Sequence, residues 1–363
     1  MLNSASSSAL RPAISIVCPS YNHGRFVGAF IDSLVTQTDG SFEVIIIDDA
    51  STDDNLSVIR SCHDPRIRVV ARDVNRGFCA SLNEGIRLAR AEVVAFIASD
   101  DLASPRYVER VLAAFAASPS AIAAYVELDR MGPGEDSLGE PCLLPATAGR
   151  LGLLRNSFLG HNQLPSPGMA VRREVALGLL LPEGTVQYSD WIFQNRILLM
   201  GDIVLIREQL VRYRVSPSSL SARTLGSAAR DTLETRIMMD DFLKIQDMAF
   251  LRQVFPEEIK AYASLPAVHM PYILGRLARL SDIHEKRCWG YEVIMRHLSE
   301  PGMAESLRQH AGFTHKDLMG LAPTEAAAQT EEVRQLRRRL RHLRRWAFVL
   351  AGGLALALWV LFR

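Results

Sequence analysis

Cysteine is scarce in this chain: five residues in 363, at Cys18, Cys62, Cys79, Cys142 and Cys288. The number is odd, the positions are far apart, and no CxxC or His/Cys metal spacing occurs. This argues against a disulfide framework and a structural zinc site, and for a reducing compartment. Met1 to Ser8 is polar and Ser-rich, without a basic n-region or an apolar h-region, so residues 1–11 read as a disordered N-terminus and not as a secretory signal. Net charge is nearly lacking as well, with 41 Lys and Arg against 40 Asp and Glu. That balance conceals a segregation. Eight Arg lie between Val333 and Arg363, where there is no Asp or Glu, which leaves 33 basic against 40 acidic residues over 1–332. A body with that acidic excess has no general attraction for polyanions, and no nucleic-acid partner is expected. With 48% hydrophobic and 22% charged residues, the chain is not of the disordered class.

Long uncharged apolar runs are lacking with one exception. Trp346 to Phe362 reads WAFVLAGGLALALWVLF, which as a helix would be about 25 Å long, the short limit for a bilayer span. The alternative is a buried helix closing a soluble core. The preceding VRQLRRRLRHLRR cannot enter a core, suits an anionic membrane surface, and by the positive-inside rule stays cytoplasmic. The expectation is a basic juxtamembrane helix over 333–345 and a transmembrane tail anchor over 346–362, with everything N-terminal facing the cytoplasm.

What is present is a regular alternation. Ile14–Cys18 reads as a strand stopped by Pro19, and Gly24–Thr38 has helical spacing in Phe26, Val27, Phe30, Ile31, Leu34 and Val35. Phe42–Ile47 is a β-branched run of the kind covered on both faces. Ser51, with Asp54 three residues later, reads as the start of a helix. Ile67–Val70 is a third strand, Gly77–Arg90 a helix and Val93–Ala98 a fourth strand. Short connections imply parallel pairing through right-handed crossovers, an open α/β sheet with helices on both faces. Further on, 105–117 reads as a helix, 121–127 as a strand, 132–149 as a Gly/Pro-rich loop and 168–171 as a strand. A helix enters at Asp190, and two strands are expected at 203–206 and 210–213. Residues 221–310 form a helical region and 311–332 a linker.

In open α/β sheets ligands bind at the carboxyl ends of the strands. Here those ends carry Pro19-Ser20-Tyr21-Asn22, Asp48-Asp49, Asp73-Val74-Asn75 and Ser99-Asp100-Asp101. One polar end would be unremarkable; four in succession point to a site. Helix capping is the plainer use of each Asp pair taken alone.

The segments ISIVCPSYN, EVIIIDDASTDD and NRGFCASLNEGIRLARAEVVAFIASDD, in this order, resemble the nucleotide-sugar-binding half of GT-A fold glycosyltransferases of the inverting family 2. The resemblance covers about residues 13–215 and implies a GT-A domain over 12–220, a mixed sheet with helices on both faces. It implies a nucleotide-sugar donor, UDP- or dTDP-linked, and a divalent metal, Mg²⁺ or Mn²⁺. By the same resemblance, Asp101 would coordinate the metal and Asp100 would meet the ribose or a metal-bound water. Asp48 and Asp49 match an Asp-Asp-Gly-Ser element with Ala50 in place of Gly, a position read as not requiring positive φ. Asp49 is the favoured partner of the base imide. Pro19, Ser20 and Tyr21 would cradle the base, and Asn75 and Gly77 would mark a close backbone approach. Arg72, Arg76 and Arg214 are candidate phosphate contacts. Asp190 takes the place of the catalytic base, with Ser189 where Glu is frequent. Trp191 and His161 are candidate acceptor contacts.

The resemblance, taken with the tail, leads to the inner membrane as location and a glycan or lipid-linked acceptor, in polysaccharide assembly. Two alternatives stand beside it. One is a non-catalytic, membrane-tethered binding or assembly protein on the same fold, which would be marked by loss of the metal or base carboxylates. The other is a sugar nucleotidyltransferase, whose Gly-rich basic loop is absent after the first strand, where Pro19–Arg25 holds one Gly.

Overall fold

The computed structural model describes residues 11–146, 149–216 and 227–321. The strands are β1 Ile14–Ser20, β2 Phe42–Asp48, β3 Ile67–Ala71, β4 Val93–Phe96, β5 Leu102–Ala103, β6 Ala123–Met131, β7 Ala170–Arg172 and β8 Ile203–Arg214. The helices that alternate with them are α1 Gly24–Val35, α2 Asn55–Ser61, α3 Phe78–Leu88, α4 Tyr107–Ala117, α5 Arg150–Leu159, α6 Arg173–Leu179 and α7 Ser189–Met200. A helical segment follows: α8 Ser227–Asp240, α9 Met248–Val254, α10 Met270–Ala278, α11 His284–Ser299, α12 Met303–Ala311 and α13 His315–Gly320.

One eight-stranded sheet runs in the order β3-β2-β1-β4-β7-β6-β8-β5. β1 pairs in parallel with both β2 and β4, so the strand order reverses between β1 and β4. β7 is antiparallel to β4 and β6, and β5 is antiparallel to β8, which makes the sheet mixed. The central strands bury both faces, because a period of two sends successive side chains to opposite sides. Val17, Ile45 and Ile47 enter one core with α3, α5, α6, α7 and the helices α8–α12. Ile14, Ile16, Val44 and Ile46 enter the other with α1, α2 and α4. The helical segment is thus packed on the same face of the sheet as α7.

Among the described residues no helix is long and apolar enough to cross a membrane. The longest, α11, has 16 residues and includes His284, Glu285, Lys286 and Arg287, too short and too charged for a bilayer core. The expected transmembrane helix as part of the fold, and with it the inner-membrane location with a cytoplasm-facing domain, is withdrawn. The stretches 333–345 and 346–362 on which it rested, and residues 1–10, lie outside the described residues.

Three local expectations also change. The strand pair at 203–206 and 210–213 is the single strand β8, because its register against β6 shifts around Glu127 and a bulge absorbs the polar Arg207-Glu208-Gln209 without a turn. Ala50 has φ +62°, so the position does adopt the left-handed conformation that favours glycine. Within the segment read as a linker, α13 starts on a capping box in which Thr314 and Asp317 bond each other's backbone.

Candidate active site

The carboxyl ends of β1, β2 and β4 meet where the strand order reverses, and each brings its polar residues by continuing a buried strand. Pro19 and Ser20 are the last residues of β1, paired with Ile47 and Asp48 of β2. Asp48 is 1% exposed and is held from α2: Asn55 Nδ2 donates to its Oδ1 at 2.6 Å, while Ser20 Oγ donates to Asn55 Oδ1 at 3.0 Å. Tyr21 follows, exposed, on the rim.

Asp49 organises the turn after β3. Its Oδ1 accepts from Arg72 Nη1 at 2.8 Å and from the Arg76 N–H at 2.9 Å, and its Oδ2 accepts from the Gly77 N–H at 2.7 Å. Gly77 has φ +88°, which lets its N–H face the carboxylate while the chain turns into α3. Three donors leave Asp49 with acceptor capacity on Oδ2. The turn exposes Asn75 and the Arg76 side chain. Arg72 is used otherwise than expected: it is buried against Asp49 and Glu84 and bonds the Ala80 carbonyl, which ties β3 to α3.

After β4 comes Ser99, buried, whose Oγ bonds His23 Nδ1 at 2.8 Å. Asp100 is half-buried, 3.9 Å from the same His23 nitrogen. Asp101 is 1% exposed. Its Oδ1 accepts the Arg214 N–H at 2.9 Å, but its Oδ2 is buried without a partner. Burial, and then the neighbouring Asp100 charge, push the Asp101 carboxyl well above the usual range. Two adjacent carboxylates with one orphaned, desolvated oxygen form a donor set suited to a hard divalent cation. Among the described residues no group of three or more His, Cys, Asp or Glu could hold a metal ion. Asp100 and Asp101 therefore fit a cation that takes its remaining ligands from substrate and water.

Arg214 closes this corner from β8. It is 1% exposed, with Nε on the Asp100 carbonyl at 2.8 Å, Nη1 on the Pro133 carbonyl at 2.9 Å, Nη2 on Glu135 at 3.2 Å, and its guanidinium 4.3 Å from the Phe26 ring centroid. These contacts make it a clamp on the Asp100-Asp101 segment.

Asp190 lies in the first turn of α7. Its Oδ2 accepts from Ser166 Oγ at 3.0 Å and its Oδ1 from the Trp191 N–H at 2.7 Å. The Ser166–Gly168 turn is itself bonded to β4, with the Gly168 N–H on the Phe96 carbonyl at 2.7 Å. This links a residue ninety positions away in sequence to the end of β4. Burial raises the Asp190 carboxyl above its ordinary range against the pull of these two hydrogen bonds. Trp191 is 7% exposed, and its Nε1 donates to Ser157 Oγ at 2.5 Å. Its ring faces Lys286 Nζ at 4.4 Å and, at 6.4 Å, the exposed His161 ring.

Several contributors were not foreseen: Asn55 and His23, and from the helical segment Glu234 and Lys286. Glu234 accepts the N–H groups of Val186, Gln187 and Tyr188 just before α7. Lys286 is fully buried and donates to the Ser157 and Gly160 carbonyls at 2.5 Å, capping the C-terminus of α5. Burial lowers its ammonium to about 7. Asn55 was legible as the first residue of a helix after the Asp pair; Glu234 and Lys286 carry no local signal. A separate cavity of about 770 Å³, lined by Arg150, Leu179, Arg196, Met200 and Phe250, lies at the other end of α7, and its cations are already paired.

The sequence profile described as Glycosyl transferase family 2 matches residues 15–175. An uncharacterised glycosyltransferase of Nostoc sp. is 28% identical over 213 residues, 56% of this chain and 64% of that protein. The chain thus spans less than two thirds of that relative. Validoxylamine A glucosyltransferase of Streptomyces hygroscopicus subsp. jinggangensis is 39% identical over 110 residues, 29% of this chain and 26% of that protein. Among solved structures, residues 1–349 of TarS from S. aureus superpose with a TM-score of 0.55 at 19% identity, covering 83% of this chain and 92% of that one. A complex of the same protein with UDP-GlcNAc gives 0.55 at 17%, covering 82% and 91%. The likeness to TarS shows the fold. The profile match and the glycosyltransferase relatives show that residues 15–175 form a glycosyltransferase domain of family 2.

Proposed function

We propose that the protein transfers a sugar from a nucleoside-diphosphate sugar to an acceptor hydroxyl, with inversion at the anomeric carbon. The observation that carries this reading is the orphaned, buried Asp101 Oδ2 beside Asp100 at the end of β4, an arrangement whose missing counter-charge a donor complex would supply. Asp101, with Asp100, would hold Mg²⁺ or Mn²⁺. When bound, such an ion neutralises the leaving diphosphate.

The chain's own residues then divide the work. Ser20, Tyr21, Asp48 and Asp49 receive the nucleotide, and UDP or dTDP matches them because a carboxylate accepts the imide N–H. The Asn75–Gly77 turn offers backbone to the nucleotide, and Arg76, with its exposed side chain, can reach the phosphates. Asp190 takes the proton of the acceptor hydroxyl; its burial raises its basicity, which a general base requires near neutral pH. His161 lies on the acceptor side. Trp191 supports that side from beneath rather than as an open platform, being 7% exposed. The acceptor we propose is a glycan hydroxyl in polysaccharide biosynthesis; a lipid-linked acceptor loses its motive with the membrane anchor.

The test is binding and slow hydrolysis of UDP-GlcNAc, UDP-glucose, dTDP-glucose and GDP-mannose, with and without Mn²⁺. Asp101→Ala is expected to abolish metal-supported binding. Asp190→Asn is expected to keep binding and lose turnover by roughly 10²–10⁴-fold. Metal-independent behaviour, or no binding of any donor by folded protein, overturns the reading.

A further inference from the structure

The segment that presents Asp190 is held by α8, and both lie beyond the family match over residues 15–175. Glu234 of α8 is 2% exposed. Its Oε1 accepts from the Val186 N–H at 2.9 Å, and its Oε2 from the Gln187 and Tyr188 N–H groups at 2.8 and 2.6 Å. Three successive amides on one carboxylate form an anion-binding nest. The nest sits at the N-terminus of α7, where Tyr188 supplies no side-chain cap, and where a helix has free N–H groups and a positive dipole end. The last of the three amides belongs to the residue two before Asp190, so this buried carboxylate holds the backbone that leads into the base.

We infer that Glu234 is a positioning residue for the catalytic base, setting both the place and the charge environment of Asp190 from the helical segment that follows the sheet. The inference rests on Asp190 being the base. Other groups face Asp190 from the surrounding elements: the Ser166 hydroxyl before β7, the Cys79 thiol of α3 and the Tyr125 hydroxyl of β6. Lys286 of α11 lies over the neighbouring Trp191 ring, beside which His161 sits. Cys79 and Tyr125 are both driven toward their neutral forms by burial. Burial is the main cause that raises the Asp190 carboxyl, and the charge of Glu234, the carboxylate among these groups, adds to it in the same direction. A purely structural carboxylate would alter folding alone; this one, beside the Asp190 segment, should also move the acid limb of the rate profile.

The experiment uses the full chain with Mn²⁺ and whichever of UDP-GlcNAc, UDP-glucose, dTDP-glucose or GDP-mannose it hydrolyses fastest, with UDP titration as the binding probe. Glu234→Gln keeps the shape and one acceptor oxygen but removes the charge. It is expected to bind UDP within about twofold of wild type, to lose roughly 10- to 100-fold in kcat, the scale of a misplaced catalytic group, and to shift the acid limb to lower pH. Glu234→Asp keeps the charge on a shorter stem; its acid limb should stay at the wild-type position while kcat falls. Wild-type kcat in both variants, an unmoved acid limb in Glu234→Gln, or a loss of UDP affinity equal to the loss of kcat would each overturn the inference. Asp190→Asn run alongside separates the failures. If it turns over normally, the base assignment is wrong; if it is inactive while Glu234→Gln is normal, only the role of Glu234 is wrong.

Discussion

Replacing Asp101 by Asn should make the metal-free protein more stable and the enzyme inactive. The reasoning starts from Asp101 Oδ2, buried with no partner in a side chain 1% exposed. An unsatisfied buried polar group costs about 1–3 kcal/mol, more when it is charged. Asn keeps an oxygen for the Arg214 N–H and removes the charge that Asp100 opposes, while its Nδ2 inherits the partnerless position. The expected gain is therefore only the cost of the charge, about 1 kcal/mol in EDTA, with the melting midpoint rising by roughly 2–4 °C. Wild type should recover the deficit when Mn²⁺ and UDP are added, by about 2.7 kcal/mol at a hundredfold excess over Kd, and the variant should not. The assay is thermal unfolding in EDTA and in Mn²⁺ plus UDP. A variant less stable than wild type in EDTA, or equally stabilised by Mn²⁺ and UDP, would refute the account of that oxygen.

Three further outcomes follow from local geometry and titration. Ala50→Gly should stabilise the fold by about 1 kcal/mol, since relief of the left-handed strain at φ +62° exceeds the entropy glycine adds to the unfolded chain; urea unfolding measures it. Gly168→Ala should cost about 2–4 kcal/mol, because φ is +75° and a Cβ would lie 2.6 Å from Val211 Cγ2, and hydrolysis should fall as the Ser166 contact to Asp190 moves. His269 and His297 bond each other at 2.9 Å in the helical segment, and burial, with mutual repulsion at His269, lowers both below the ordinary imidazole value. Groups depressed in the folded state stabilise it above their unfolded pKa and lose that contribution as pH falls. Stability should therefore drop from about pH 7 toward pH 5, and His297→Gln should flatten the slope; a slope unchanged by the substitution contradicts this.

The sheet was legible because its central strands are buried on both faces: the runs Ile14–Cys18 and Phe42–Ile47 gave β1 and β2, although β1 continues through Pro19, where a stop was expected, to Ser20, and β2 one residue further to Asp48. The ends of those strands were legible for the same reason: Asp48, Asp49, Asp100 and Asp101 interrupt apolar runs where only function or capping explains them. The role of Arg214 was misjudged because its burial depends on Phe26, Asp100 and the 132–135 turn, none of them near it in sequence. Glu234 and Lys286 were invisible for a similar reason. Each sits in a helix with no unusual pattern and acts on backbone groups of 186–188 or 157–160 that are brought near only by packing across the α7 face. The apolar tail shows the opposite hazard: a run of hydrophobic residues supported a membrane assignment that no described helix supports.

The central claim, inverting transfer with Asp190 as base, is tested most directly by following the hydrolysis of an α-linked donor such as UDP-GlcNAc by proton NMR. The account predicts that the β-anomer of the released sugar appears first with wild type, and that Asp190→Asn binds the donor yet releases sugar at least about a hundredfold more slowly. First appearance of the α-anomer, or an unchanged rate in Asp190→Asn, would contradict it.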